Sequence, residues 1–278
     1  MTVAKLEVNV PTSLKLALDK EIRQTGATRS SVVSAALAQY LDISIHSLFQ
    51  VSTSGSLVTG VYSGAISVET LLLHGNFGLG TFENLDGEMV ILDGQVYRVR
   101  GTGEVSAASS NATTPFAVIT HFSPTIDVST KAISTLSDLH NCCNAFRSSG
   151  NIFYAIRLDG AFTHVRVRAV SPPQKGGRLV DAAKAQHEFN LADTMGTLVG
   201  IWSPGFSSAL SVPGYHFHFL ADDRRHGGHL LECSAGPLRL RMEPLTNFHL
   251  ALPETEGFLK ADLSKSAADE LAYAEQAH

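Results

Sequence analysis

Residues 88–100, EMVILDGQVYRVR, and 152–168, IFYAIRLDGAFTHVRVR, each read as an apolar run, an Asp-Gly pair and a second run of alternating character. Asp-Gly supplies the two left-handed residues of a type I′ turn, whose twist matches that of paired antiparallel strands, so both stretches predict a tight hairpin. Each is followed by a further apolar strand, PFAVITHF at 115–122 and GTLVGIW at 196–202. The repeated pattern predicts an α+β fold of mixed and antiparallel sheets in two related halves, 46–147 and 148–278. Helices are expected at 67–74, where Ser67 caps and Leu71 and Leu72 bury, at 130–147, and from about 264 onward.

Working outward to the start of the chain, residues 1–45 have a different texture, with helical periodicity and a single glycine. Leu6, Val8 and Val10 alternate with Lys5, Glu7 and Asn9, which predicts a strand ended by Pro11. Thr12 or Ser13 caps a helix whose Leu14, Ala17, Leu18 and Ile22 form one stripe, and Gly26 stops it. Thr28 caps a second helix, in which Val32, Val33, Ala36, Leu37, Tyr40 and Leu41 recur at spacings of three and four. A lone strand is unstable without a neighbour, so this small β-α-α unit implies pairing with a second copy of the chain, a homodimer.

The 278 residues, 44% apolar and 17% charged, suffice for one large domain or two ordinary ones and exclude a disordered chain. A net charge of -5 excludes a protein built wholly around nucleic acid. Cys142, Cys143 and Cys233 form no CxxC pair, so neither a disulfide framework nor a thiolate zinc site is signalled and a reducing compartment is expected. Lys5 and Glu7 interrupt the start where a signal peptide needs carbon, and no run approaches the about 18 apolar residues of a membrane span. The expectation is a cytoplasmic protein without a membrane anchor.

The stretch that carries chemistry is 213–229, PGYHFHFLADDRRHGGH. Residues i and i+2 of a strand point the same way, so His216 and His218 project together while Tyr215, Phe217 and Phe219 pack behind them. The polar turn ADDRRHGG reverses the chain, and the returning strand offers His226 or His229 as a third imidazole. Three protein ligands with an open fourth position are the arrangement of a catalytic zinc site. Read singly, each of these residues is an ordinary hydrogen-bonded histidine, and Glu88 and Arg168 read as surface charges at strand ends.

Two resemblances extend this reading. The strand, helix, turn, helix order over residues 3–41, with VPTSLKLALDKEIRQTGATRSSVVSAALAQYL, resembles the ribbon-helix-helix DNA-binding family. It implies that paired strands enter a DNA major groove through Lys5, Glu7 and Asn9, with amides near Arg29 and Ser30 on a phosphate. Five cations against four anions leave this segment little charge to offset phosphates, so dimerisation alone is the competing reading. From about residue 46 to 278, the runs GVYSGAISVETLLLHGNFGLGTFENLDGEMVILDG, TPFAVITHF, NIFYAIRLDG and SVPGYHFHFLADDRRHGGHLL resemble the α-acetolactate decarboxylase family. That resemblance implies decarboxylation of 2-acetolactate to acetoin and carbon dioxide, with zinc held by His216, His218 and His229. It assigns Glu88, Arg168 and a C-terminal glutamate matched to Glu275 to the catalytic pocket, with Thr81 and Arg168 on the substrate; Glu254 and Glu270 are rivals for Glu275.

The chemistry suits such a site. A β-keto acid that loses carbon dioxide leaves an electron pair that the neighbouring carbonyl accepts as an enediolate, and a Lewis acid chelating the ketone and the adjacent hydroxyl stabilises it. A positioned acid must then protonate one face. Two other classes compete: a DNA-binding regulator that senses a ligand through a decarboxylase-like domain, and another three-histidine enzyme using iron, nickel or copper.

Overall fold

The computed structural model describes residues 6–25, 28–41, 46–172, 179, 186–264, 270 and 271. The chain divides into two compact units, Met1–Ile45 and His46–His278. In the first, α1 spans Thr12–Thr25 and α2 spans Arg29–Tyr40. Lys15 and Arg29 each reach Asp19 at 2.8 Å and pull its carboxyl down to about 2. The Arg29 guanidinium thus ties the start of α2 to α1. Residues 6–10 form no strand, against expectation, and Leu6, Val8 and Val10 stay exposed. A ladder needs a hydrogen-bonding neighbour, and a single chain supplies none here. Lys5 and Gly26 lie outside the described residues, and Glu7 and Asn9 are exposed. Of the α1 stripe, Leu18 and Ile22 are half-buried, whereas Leu14 is exposed.

Among the described residues, the second unit is built on three sheets. The seven-stranded one contains β1 (Ser47–Val51), β3 (Phe77–Thr81), β4 (Glu88–Leu92), β5 (Gln95–Val99), β6 (Val105–Ala107), β8 (Phe116–Thr120) and β15 (Asn247–Ala251), in the order β15-β1-β8-β3-β4-β5-β6. The six-stranded one contains β9 (Ile126–Ser129), β10 (Phe153–Ala169), β11 (His187–Ser203), β12 (Gly214–Ala221), β13 (Gly227–Ala235) and β14 (Arg239–Leu245), in the order β11-β12-β13-β10-β14-β9. This sheet curls until β10 also pairs directly with β11. β2 (Ile66–Ser67) and β7 (Thr113–Thr114) form a short ribbon. The seven-stranded sheet takes its edge strand β15 from the far end of the chain, parallel to β1, whereas the six-stranded sheet uses consecutive strands, with β9 antiparallel to β14 at its edge.

Strand alternation sorts the side chains into three apolar layers. Leu79, Val90 and Val118 meet Ala155, Val199 and Leu220 between the sheets. Met89, Ile91 and Ile119 face outward under Leu71 and Phe82. Phe217, Phe219 and Leu158 pack outward with Leu139 and Cys143. Burial on both faces explains why EMVIL and FAVIT read as unbroken buried runs.

The hairpin expected at 88–100 is present: β4 and β5 pair through Asp93 (φ 52) and Gly94 (φ 78), both left-handed. The one expected at 152–168 is not, because β10 runs unbroken through Asp159-Gly160. A partner strand, β11, accompanies it along its length, pairing Asp159 with Thr197 and Gly160 with Gly196. Asp159 is also held across the sheet, accepting from Arg157 Nε at 2.9 Å, Thr197 Oγ1 at 3.0 Å and Arg241 at 2.7 Å.

Ser67 caps α4 (Val68–Leu72), and Leu71 is buried as expected while Leu72 is only half-buried. Thr135 caps α5 (Leu136–Phe146), which starts later than 130. Two five-residue helices, α3 (Ser54–Val58) and α6 (Glu256–Lys260), are too short to show periodicity in sequence. Of the helix expected from about 264, residues 270 and 271 are helical, and 265–269 and 272–278 lie outside the described residues.

Asp159 generates a stability prediction. Burial alone would raise its pKa, but Arg241, Arg157 and Thr197 outweigh burial and hold it below the ordinary carboxylate value. Its contribution is therefore present at neutral pH and lost as pH falls through the folded-state pKa. Asp159→Ala, which removes the ion partner of Arg241 and leaves Arg157 with Asp93 alone, should cost about 2 kcal/mol at pH 7. In denaturant titrations the deficit against the wild type should shrink in acid.

Candidate metal centre

The cleft between the two large sheets is where the histidines meet. Along β12, His216 and His218 face inward with Leu220, while Tyr215 and Phe217 stack outward with His140. The β12–β13 register sets His229 directly opposite His218. His216 Nε2 lies 3.2 Å from His218 Nε2 and 3.2 Å from His229 Nδ1. The ring atoms that could serve as ligands all lie within 4.8 Å of one another. A tetrahedral zinc shell spaces its nitrogens by about 3.3 Å, so the spacing suits such an ion.

The protonation pattern points the same way. His218 Nδ1 lies 2.8 Å from the Met89 carbonyl, an acceptor only, so Nδ1 carries the hydrogen and Nε2 presents its lone pair to the cluster. A hydrogen on His216 Nε2 can be aimed at one of its two neighbours and not at both. Burial, together with the Arg168 charge, lowers the His216 pKa to about 3. The set is a group of neutral donors of the kind a divalent cation takes.

Glu88 and Arg168 flank the cluster and are both buried, not surface charges. The alternation that turns Val90 inward also turns Glu88 inward, with Oε2 3.7 Å from His218 Nε2. Thr81 pairs with Glu88 across β3–β4 and donates its hydroxyl to the Gly87 carbonyl at 2.9 Å, which steadies the turn leading into Glu88. Arg168 pairs with His229 across β10–β13 and donates to Gln186 Oε1 at 2.8 Å. Gly228, at φ 141, permits this approach: a Cβ there would stand 2.4 Å from the Arg168 carbonyl.

A cavity of about 50 Å³ opens beside the cluster, lined by Ser54, Leu57, Thr81, Glu88, Phe116, Arg168, Val212, His216, His229 and Leu271 among others. A wider groove of about 1170 Å³ lies elsewhere, along Glu83, Arg98 and Lys260. Its charged groups are already engaged, Arg98 with Asp86, Lys260 with Glu256 and Glu83 with the Thr113 hydroxyl.

The alternatives left open by the spacing resolve as follows. His226 is exposed in the turn and pairs with Asp223 at 3.0 Å, away from the cluster. Glu254 is exposed and does not line the cavity; Glu270 is half-buried beside Leu271, which does. Glu275 lies outside the described residues. Sequence reasoning missed Gln186, Ser54 and the Met89 carbonyl, since a glutamine, a serine or a backbone oxygen carries no local signature.

The chain matches the family model for alpha-acetolactate decarboxylase over residues 48–265. It is 35% identical over 230 residues to the alpha-acetolactate decarboxylase of Bacillus licheniformis, covering 82% of this chain and 91% of that one. Against the Methylococcus capsulatus protein of the same name, identity is 38% over 231 residues, covering 83% and 89%. The crystal structure of alpha-acetolactate decarboxylase from Bacillus subtilis superposes with a TM-score of 0.80 at 34% identity, over 83% of this chain and all of that one.

Because a ligand that binds only the folded state stabilises it, a divalent transition metal at a hundred times its dissociation constant should raise the melting temperature of the metal-free protein by roughly 5–10 °C. His216→Ala should remove the shift. A wild-type melt indifferent to zinc, manganese and cobalt alike would sink the assignment of these histidines as ligands.

Proposed function

This chain belongs to the alpha-acetolactate decarboxylase family and is a carboxy-lyase, and from that premise we propose that it converts 2-acetolactate to acetoin and carbon dioxide with zinc held by His216, His218 and His229. The observation that carries the metal reading is that His216 Nε2 lies 3.2 Å from a ring nitrogen of His218 and 3.2 Å from one of His229, beside an open cavity. When bound, the ion supplies a Lewis acid for the negative charge that departing carbon dioxide leaves behind.

The chain's own residues have separate tasks. Arg168 is buried in the cavity wall and presents a planar fork to a carboxylate, with Gln186 holding one arm of the guanidinium. Glu88 stands beside His218, within the cavity wall, where it can deliver a proton to one face of the carbon that has lost carbon dioxide. Thr81 contributes to the substrate wall and keeps the Glu88 backbone in register. Glu275, matched to the family's C-terminal glutamate, is the second candidate for the proton donor.

For the unit Met1–Ile45 we favour self-association through a strand pair. Its exposed Leu6, Val8 and Val10 call for an apolar partner, and a second copy supplies an identical strand. DNA binding through Lys5, Glu7 and Asn9 is the further possibility raised by the ribbon-helix-helix likeness.

Assayed with 2-acetolactate, the protein should form acetoin faster than spontaneous decay, lose that activity on exhaustive chelation and regain it with zinc. Survival of full activity after metal removal would refute the metal reading. Glu88→Gln should lower kcat by about 10²–10⁴, as expected for loss of a general acid, with Glu275→Gln measured alongside to decide between the two carboxyls. Deleting residues 1–45 should leave turnover intact and reduce the mass seen in light scattering. A gel shift with upstream DNA at physiological salt tests the DNA reading, and no shift rejects it.

A further inference from the structure

We propose that Ser54 is a substrate-binding residue that donates a hydrogen bond to the carboxylate of 2-acetolactate; this rests on the reading of the inter-sheet cavity as the substrate site. Ser54 opens α3 on the seven-stranded side, where its backbone N–H donates to the Leu210 carbonyl at 2.9 Å. Its side chain is fully buried, yet Oγ has no hydrogen-bond partner among the described residues. The neighbouring hydroxyls are engaged. Ser52 Oγ and Ser56 Oγ share a 2.8 Å bond, Ser56 Oγ donates to the Thr53 carbonyl at 2.6 Å, and Thr81 Oγ1 is spent on Gly87. A buried hydroxyl without a partner is unfavourable to the fold, so its presence in a cavity wall asks for a ligand. Ser54 lines the same cavity as Glu88, Arg168, His216 and His229, whose wall also takes carbon from Leu57 and Val212.

The substrate's own chemistry selects the acceptor. Its ketone and hydroxyl oxygens sit on adjacent carbons and suit chelation, which leaves the carboxylate as the polar group free to meet the protein. Arg168 brings the countercharge from β10 of the six-stranded sheet, and Ser54 lines the same cavity from α3, which follows β1 of the seven-stranded sheet. A neutral second donor fits the reaction better than a second cation. Carbon dioxide leaves without charge, so another full positive charge would hold the bound substrate more tightly than the transition state.

Steady-state kinetics of the zinc-loaded Ser54→Ala and Ser54→Cys proteins on 2-acetolactate, with melting temperatures alongside, test this. For Ser54→Ala, KM should rise by on the order of tenfold to a hundredfold, the loss of one hydrogen bond to a charged group, without a fall in kcat. Ser54→Cys, a weak donor, should fall between. The inhibition constant of acetoin, which no longer carries the carboxylate, should not move. The melting temperature should hold or rise, because no bond of the fold is removed. An unchanged KM overturns the proposal, as does a rise in the acetoin constant that matches the rise in KM, or a drop in melting temperature that accounts for the loss. If the wild type fails to turn over 2-acetolactate, or His216→Ala is as active as the wild type, the reading of the cavity fails instead and takes the role of Ser54 with it.

Discussion

The hydrogen bond from His218 Nδ1 to the Met89 carbonyl joins the two large sheets at the point where the chemistry is assembled. It does three things at once. It selects the ring tautomer, so that Nε2 faces His216 with a lone pair. It also holds β12 against β4, the strand that begins with Glu88, and thereby fixes the 3.7 Å separation between that carboxylate and His218. Finally, it ties a side chain of one sheet directly to the backbone of the other. The spacing of acid and ligands is therefore set by sheet packing rather than by a flexible loop.

That packing also determines the electrostatics. Leu79, Val90, Val118, Val199 and Leu220 fill the space between the sheets with carbon, so the few polar groups that enter it interact in a low dielectric. His216 shows the result: desolvation first, and Arg168 second, keep its imidazole neutral well below physiological pH. A cation-accepting cluster and a permanent guanidinium thus coexist in one small cavity, because the histidines need not carry charge themselves. Charge that develops on a bound substrate is strengthened in its interaction with Arg168 by the same carbon walls.

The fold was partly legible. Asp-Gly at 93–94 marks a true turn because its two residues adopt the left-handed angles the motif predicts, and β4 and β5 are free to pair with one another. The same dipeptide at 159–160 lies inside a 17-residue strand. There, β11 already offers a continuous ladder, and Arg157, Thr197 and Arg241 compete for the aspartate that a turn would expose. Local turn chemistry was overridden by a partner strand whose Thr197 lies 38 residues beyond Asp159, which no short window of sequence reveals. The strand at Leu6–Val10 fails for the opposite reason, since its alternation is sound and a neighbour is what it lacks.

The site divides along the same line. His216 and His218 were readable from spacing alone because a strand has period two, and His229 from the turn that returns the chain; choosing it over His226 took either the family likeness or the β12–β13 register. Glu88 and Arg168 read as exposed charges by composition, since nothing in LDGEM or HVRVR says which strand face will be covered. Each is buried because the second sheet lies over its inward face, so the residue type is local while the role is tertiary. Ser54 carries this furthest: a serine among serines in VSTSGSL becomes chemically distinct only when packing buries its hydroxyl with no hydrogen-bond partner among the described residues.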